Sequence, residues 1–277
     1  MALNSVNTNN SAMAALQNLA ATQRDLMTTQ SRINTGLKVA SAKDNGAIWA
    51  IAQNQRATSQ SLDAVKDSLQ RGASTVDVAL SAGESISDLL LQMKSKALAA
   101  SDATLDANSR TALNDDFESL RDQITKVVQN ADFNGANMIS GSGVDIQALA
   151  NADGTQVISV AAQNLSLGST ALTGITATAN IATMTLAQGM ITTVNSAITA
   201  VSSALSKLGT GSKALQSHLT FVGKLQDTID AGVGNLVGAD LAKESAKLQA
   251  LQTKQQLGIQ ALSIANQSSS ILLGLFR

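Results

Sequence analysis

The stretch ALQNLAATQRDLMTTQSRINTGL, residues 15–37, decides the fold. Leu16, Leu19, Leu26, Ile33 and Leu37 fall on alternating steps of three and four residues, and Gln23 and Gln30 complete the series. Side chains spaced in this way line one stripe of an α-helix, and a stripe kept at a seven-residue repeat is a coiled-coil seam. Such a seam requires a partner. Near the other end of the chain Leu241, Leu248, Leu251, Leu262 and Leu272 repeat the same steps, with Gln255 and Ser269 as polar members. The two ends are therefore expected to pair, so that the chain runs out and comes back.

Between these ends, SAKDNG (residues 41–46) supplies turn formers that interrupt the helix. Apolar positions then resume from Ile48 and Ile51 through Leu62, Leu69, Val76, Ile86 and Met93, predicting one long rod-like helix from Ala47 to about Ala100. A polar connector, SDATLDANS (101–109), offers Asp106 or Ser109 as the cap of a further helix reaching about Asn130. Asn134 and Gly135 suit the tight turn that follows. Residues 140–185 are rich in Thr, Ser, Ala and Gly, with short alternations such as Gln156–Val160 and a turn at Asp153 and Gly154, predicting two or three short strands. Helix returns at about Thr185 and runs towards Gly232. Two glycines within Gly209–Ser212 each cost about 1 kcal/mol in a helix, which leaves a break there or continuity both open.

Composition narrows the function. Of 277 residues, 44% are hydrophobic but only 2% aromatic, which favours helix-on-helix packing. Proline and cysteine are absent, so no helix is forced to break and no thiolate chemistry or disulfide is available. Charged residues make up 14% and the net charge is -1, giving no electrostatic footprint for nucleic acid. The first positive charge is Arg24, so the N-terminal stretch does not read as a secretory signal, and no apolar run is long enough to span a membrane.

No constellation suggests catalysis, a cofactor or a metal. The single histidine, His218, lies in a predicted helix without an acid or nucleophile motif around it. Asp115, Asp116, Glu118 and Asp122 lack the alternating ligands and glycine of a calcium loop and read as a solvated helix face. Trp49 reads as packing at a helix contact, and GTGS (209–212) lacks the lysine and spacing of a phosphate loop.

Three segments together carry a resemblance: SRINTGLKVASAKDNGAIWAIAQ (31–53), ADFNGANMISG (131–141) and GADLAKESAKLQALQTKQQLGIQALSIANQSSSILLGLFR (238–277). They are similar to bacterial flagellin, the filament subunit, and most to its short alphaproteobacterial form. The resemblance implies a mainly α hairpin-shaped rod with paired N- and C-terminal coiled-coil helices and a small β element. It further implies an inner-core domain from residues 1–44 and 236–277, a helical rod domain from 45–140 and 185–235, and a short outward-facing insertion at 141–184 in place of large outer domains. The implied activity is polymerisation into a helical filament for swimming, after export by the flagellar type III apparatus. The implied partners are further copies or other flagellins, the hook-filament junction and cap proteins, and an export chaperone at the C-terminal segment; nucleic acid and membrane are not among them. The candidate subunit interface comprises Leu16, Leu19, Leu26, Ile33, Leu37, Leu241, Leu248, Leu251, Leu262, Leu272, Leu273 and Phe276.

Two departures from the family pattern stand out. The region that an innate immune receptor recognises in many enteric flagellins here reads LQMKSKALAAS (91–101), which puts that recognition in question. The usual proline near the tail is replaced by Ser268–Ser270, which should extend the last helix. Ser166, Ser169, Thr170, Thr173, Thr176 and Thr178 are candidates for O-glycosylation by sugars of the sialic acid type, with simple loop polarity the equal alternative.

The tail itself poses an energetic question. Burying Ile271, Leu272, Leu273, Leu275 and Phe276 contributes roughly 1.5–3 kcal/mol each. Ordering the backbone of residues 261–277 costs about 1–2 kcal/mol per residue. The tail is therefore expected to become ordered only when neighbouring copies cover it. The principal rival, a lipid-binding amphipathic helix, would carry dense Lys and Arg with aromatic residues at the boundary, whereas the polar faces here are Ser, Thr, Asn and Gln.

Overall fold

A computed structural model describes residues 8–274, with side chains to Gln267. The described residues form five helices and one small sheet: α1 (Asn10–Thr35), α2 (Gly46–Ala100), α3 (Ala107–Asn130), β1 (Ile146–Leu149), β2 (Val157–Val160), α4 (Met184–Val237) and α5 (Leu241–Gly274). They divide into a terminal unit, Met1–Ala57 with Thr228–Arg277, and a central unit, Thr58–Asp227. The fold is mainly α with paired terminal helices and a small β element.

In the terminal unit α1 begins where the Asn9 side chain accepts from the Ala12 amide at 3.0 Å and ends at Gly36, whose φ of 68° is a left-handed cap. Helix α1 therefore ends at Thr35, before Leu37. The expected seam ran through Leu37, but this residue instead forms an antiparallel bridge with Gly238. Lys38 N–H donates to Val237 O at 2.7 Å and Ala239 N–H to Gly36 O at 2.9 Å, so the segments leaving α1 and entering α5 are joined. Val39, Ala52, Val233 and Val237 are buried there, with Trp49, Leu37, Ile48 and Ile229 packed around them. That is the packing role expected of Trp49.

In the central unit α2 keeps a strict heptad: Leu62, Val65, Leu69, Val76, Ala79, Ile86, Leu90 and Met93 are all buried. Helix α4 lies antiparallel to it, since Lys66 donates to Gln226, Ser212 bonds Asp77 at 3.2 Å, and Gly83 faces Leu205. Asp106 caps α3, its carboxylate accepting from the Asn108 and Ser109 amides. The expected turn is present, with Asn134 and Gly135 at positive φ. Two anchors hold the segment before α4 on α3: Ile181 N–H donates to Asn114 Oδ1 at 2.8 Å, and buried Arg121 donates to Ala179 O at 2.9 Å.

Helix α4 is continuous across Gly209–Ser212. What changes there is phase. Its buried positions run Val194, Ala197, Val201, Ala204 and Leu208, then step four rather than three residues to Ser212 and on to Leu215, a stutter that relaxes the supercoil locally. The glycines serve the sheet. β1 and β2 pair antiparallel with Ile146 opposite Val160, and a Cβ at Gly211 would lie 2.5 Å from Val160 Cγ1, while one at Gly72 of α2 would lie 3.2 Å from Ile146 Cγ2. Leu149 N–H donates to Ser68 Oγ at 3.1 Å, fixing the hairpin on α2.

Two alanine substitutions separate propensity from packing. Gly209 faces open space, so Gly209→Ala is expected to stabilise by about 0.5–1 kcal/mol through helix propensity. Val160 is stiff at χ1 and cannot retreat, so Gly211→Ala is expected to destabilise by about 1–3 kcal/mol through overpacking. Thermal melts of the two variants, which should move in opposite directions, check both.

Candidate subunit interface

The seam of the terminal unit is built by α1 and α5 running antiparallel. At one end Asn9 Nδ2 donates to Ala265 O at 2.7 Å, and near the other Arg32 bonds Glu244 at 3.1 Å. On α5 the covered positions are Glu244, Leu248, Leu251, Gln255, Gly258, Leu262 and Ala265, a continuous heptad in the register the leucines announce. Leu251 is buried; Leu248 and Leu262 are half-buried; Leu241, at the helix start, is exposed.

On α1 the register differs from the expected one. Ala12, Leu19, Leu26 and Ile33 form one column of the seam, but the other column is Ala15, Thr22 and Thr29. Gln23 and Gln30 are exposed, as is Leu16 at 54%. Both registers share the central column, and helix-to-helix distance decides between them. Thr22 is buried with its hydroxyl returned to Asn18 O at 2.8 Å, whereas a glutamine amide stays in water at less cost. Close approach is also required by Gly258, where a Cβ would lie 3.3 Å from Leu19 Cδ1. Threonines seven residues apart were the available signal.

The unpaired flanks of this two-helix unit are its notable surface. Met13, Leu16 and Met27, exposed at 55%, 54% and 59%, lie within about 60° of one another on an ideal helix and form a ridge on one flank of α1. The opposite flank is a cleft of about 550 Å³ between α1 and α5, lined by the small side chains of Ser11, Ala14, Ala15, Gly258 and Ala261 together with Asn18, Leu19, Thr22, Lys254 and Leu257. Leu257, Ile259 and Ile264 are exposed on α5. Helix α5 continues through Ser268–Ser270 to Gly274. Of the remaining candidates, the side chains of Leu272 and Leu273, and all of Phe276, lie outside the described residues.

The loop between α1 and α2 is held by Asp44. Its carboxylate accepts from the Ala40 and Ser41 amides at 3.0 and 2.9 Å and from the Ser41 hydroxyl at 3.2 Å. The Ser41 amide bond, with these partners and the nearby Arg32 charge, holds the Asp44 carboxyl below its ordinary value of 3.8. Asp102 and Asp106 are lowered in the same way by the Thr104 and Ser109 bonds that cap the turn before α3.

No group of three or more metal-binding side chains occurs among the described residues. Asp116 pairs with Lys96 at 2.6 Å and Asp122 with Arg121 at 3.0 Å. His218 is anchored to the Ala150 carbonyl at 2.7 Å, beside Phe221, and holds the end of the hairpin. None of the described helices is long and apolar enough to cross a membrane.

A paired-helix unit with uncovered apolar flanks defines a structural subunit that associates. Comparison with known proteins agrees. Residues 6–144 match the bacterial flagellin N-terminal helical region and residues 191–276 the bacterial flagellin C-terminal helical region. The chain is 60% identical to flagellin FljM of Caulobacter vibrioides over the full length of both, and 37% identical to a flagellin of Brucella melitensis over 99% of each. A crystal structure of Bacillus cereus flagellin, 21% identical, aligns over 66% of this chain and 94% of that one with a TM-score of 0.42. The chain belongs to the bacterial flagellin family. It is a structural subunit of the extracellular flagellar filament, polymerising with other flagellins, and not an enzyme.

The Asp44 carboxyl is expected to be acid-sensitive in a defined sense. Its folded-state pKa is depressed, so its contribution to holding the loop is present above 3.8 and is lost as pH falls through the lower folded-state value. An NMR titration should place the Asp44 midpoint below 3.8, and Asp44→Ala should flatten the acid limb of the stability profile.

Proposed function

We propose that copies associate by seating the Met13–Leu16–Met27 ridge of one α1 in the cleft between α1 and α5 of the next. What supports this is the placement of ridge and cleft on opposite flanks of the same helix pair. Two unlike surfaces that fit each other make a heterologous contact, which repeats without closing and generates a filament. Within this reading Leu16 and Leu241, exposed in the single chain, meet a neighbour directly. Leu19, Leu26, Ile33, Leu248, Leu251 and Leu262 hold the pair that presents the cleft, and Leu37 fixes its end. Leu272, Leu273 and Phe276 are further candidates to meet neighbouring copies.

On the same reading residues 1–44 and 236–277 form the inner core of the filament, 45–140 and 185–235 the surrounding rod, and 141–184 a short outward-facing insertion. The exposed apolar flanks need protection before assembly, which suits export by the type III apparatus with a chaperone on the C-terminal segment. Cap and junction proteins would meet the same surfaces at the filament ends.

Among the glycosylation candidates, the hydroxyl environments differ. Thr173 donates to Ser169 O at 3.1 Å and Thr170 O at 2.9 Å, Thr176 and Thr178 bond each other at 3.2 Å, and Ser169 Oγ accepts from the Leu172 amide. Ser166 is half-buried, whereas Thr170 is exposed at the edge of a cleft of about 340 Å³. Thr170 is therefore the first site to modify. Purified filaments are expected to give an intact mass above that of the sequence, and a mass equal to the sequence removes the modification.

Elongation tests the interface. Met13→Glu with Leu16→Glu places two charges on the ridge where burial would desolvate them. Seeded growth onto filament fragments is expected to slow at least about tenfold while circular dichroism of the monomer is unchanged. Growth at the parent rate would overturn the ridge-and-cleft contact.

A further inference from the structure

The seam contains one charged layer. Arg32 Nη1 lies 3.1 Å from Glu244 Oε1, with side-chain exposures of 32% and 12%. One turn earlier on the same face, Thr29 is fully buried. Thr29 Oγ1, Arg32 Nε and Glu244 Oε2 are all buried without a protein hydrogen-bond partner. Its neighbours behave otherwise: Thr22, Thr28 and Thr35 return their hydroxyls to carbonyls one turn back at 2.8–3.0 Å. A layer so incompletely bonded is a poor source of stability, because desolvating a charge pair offsets much of its attraction.

We propose that the Arg32–Glu244 pair, with Thr29, holds the α1–α5 pairing in register along the helices, beyond the bridge that joins their ends. The Leu37–Gly238 bridge fixes the pairing where the helices end, but the apolar repeats along them do not. Leu19, Leu26 and Ile33 recur every seven residues on α1, as do Leu248, Gln255 and Leu262 on α5, so a one-heptad slide leaves most apolar contacts replaceable. The charges do not tolerate it. A slide one way sets Arg32 opposite Leu251 and Glu244 opposite Val39; a slide the other way sets Glu244 opposite Asp25 and Arg32 opposite Val237. Each displaced state buries charges against apolar groups or a like charge, which is the repulsive element that specificity requires.

The consequence for assembly rests on the filament reading above. Around each α1 the neighbouring copies present the same heptads, and a subunit paired out of register would offer a misplaced ridge and cleft. The register itself is tested in the monomer, so it stands or falls independently of polymerisation.

The chain has no cysteine, which allows clean cross-linking of the full-length protein. Leu19→Cys with Gly258→Cys reports the native register, since position 258 faces Leu19. Leu19→Cys with Leu251→Cys, or with Ala265→Cys, reports a one-heptad slide in either direction. In the parent background the native cross-link is expected to dominate. In Arg32→Leu/Glu244→Leu, and separately in the near-isosteric Glu244→Gln, the displaced products are expected to rise about tenfold relative to the native one, with helix content by circular dichroism retained in at least the second. Arg32→Lys, which keeps the charge, should hold the parent ratio. Displaced products unchanged in both uncharged variants, or raised equally by Arg32→Lys, would overturn the proposal.

Discussion

The structure depends on one constraint: two long helices from opposite ends of the chain are each apolar on more of their circumference than a single partner can cover. Pairing α1 with α5 buries Leu251 and shields Leu19, Leu26, Ile33, Leu248 and Leu262. It leaves Met13, Leu16, Met27, Leu257, Ile259 and Ile264 in water. A buried leucine is worth roughly 1.5–3 kcal/mol, so the uncovered set is a substantial unused driving force within an otherwise satisfied pair. In a flagellin, which polymerises with other flagellins, we propose that this remainder is the surface that meets them.

The rest of the surface is suited to the same end. Charged residues are scarce, and exposed hydroxyls along the helices are largely self-satisfied: Thr193, Ser196, Thr199 and Ser202 of α4 each donate to the carbonyl four residues back. Polar groups already bonded within their own helix lose little when water is removed, and hydroxyls bonded in this way soften a helix towards bending. Such a surface packs against a neighbour without strong electrostatic preference, so register falls to shape, to apolar ridges and to the few ion pairs. The Arg32–Glu244 pair is one of those few.

Much of this was legible in the sequence because helices announce themselves by period. The heptads of α2 and α5, the Asp106 cap and the turn at Asn134–Gly135 stand where the residue pattern puts them. The family itself was carried by motifs at both ends. Three features were not legible, each because a tertiary distance decides them. The seam on α1 takes Thr22 and Thr29 over Gln23 and Gln30, since close approach at Gly258 favours short side chains. Leu37 continues the apolar period but lies beyond the left-handed cap at Gly36. Gly209 and Gly211 do not break α4; Gly211 makes room for Val160 of the hairpin, a contact no local propensity contains. The ridge and the cleft were half visible: Leu16 belongs to the expected interface, but which flank it occupies follows only once the true register is known.

Amide hydrogen exchange of the monomer and of the filament, followed segment by segment, addresses the covering of α1 and α5 most directly. If neighbouring copies cover the free flanks, amides of residues 10–35 and 241–274 should gain protection on polymerisation by at least about tenfold more than those within 58–227. Protection of the two terminal helices that is the same in monomer and filament, or a gain confined to the central unit, would contradict it.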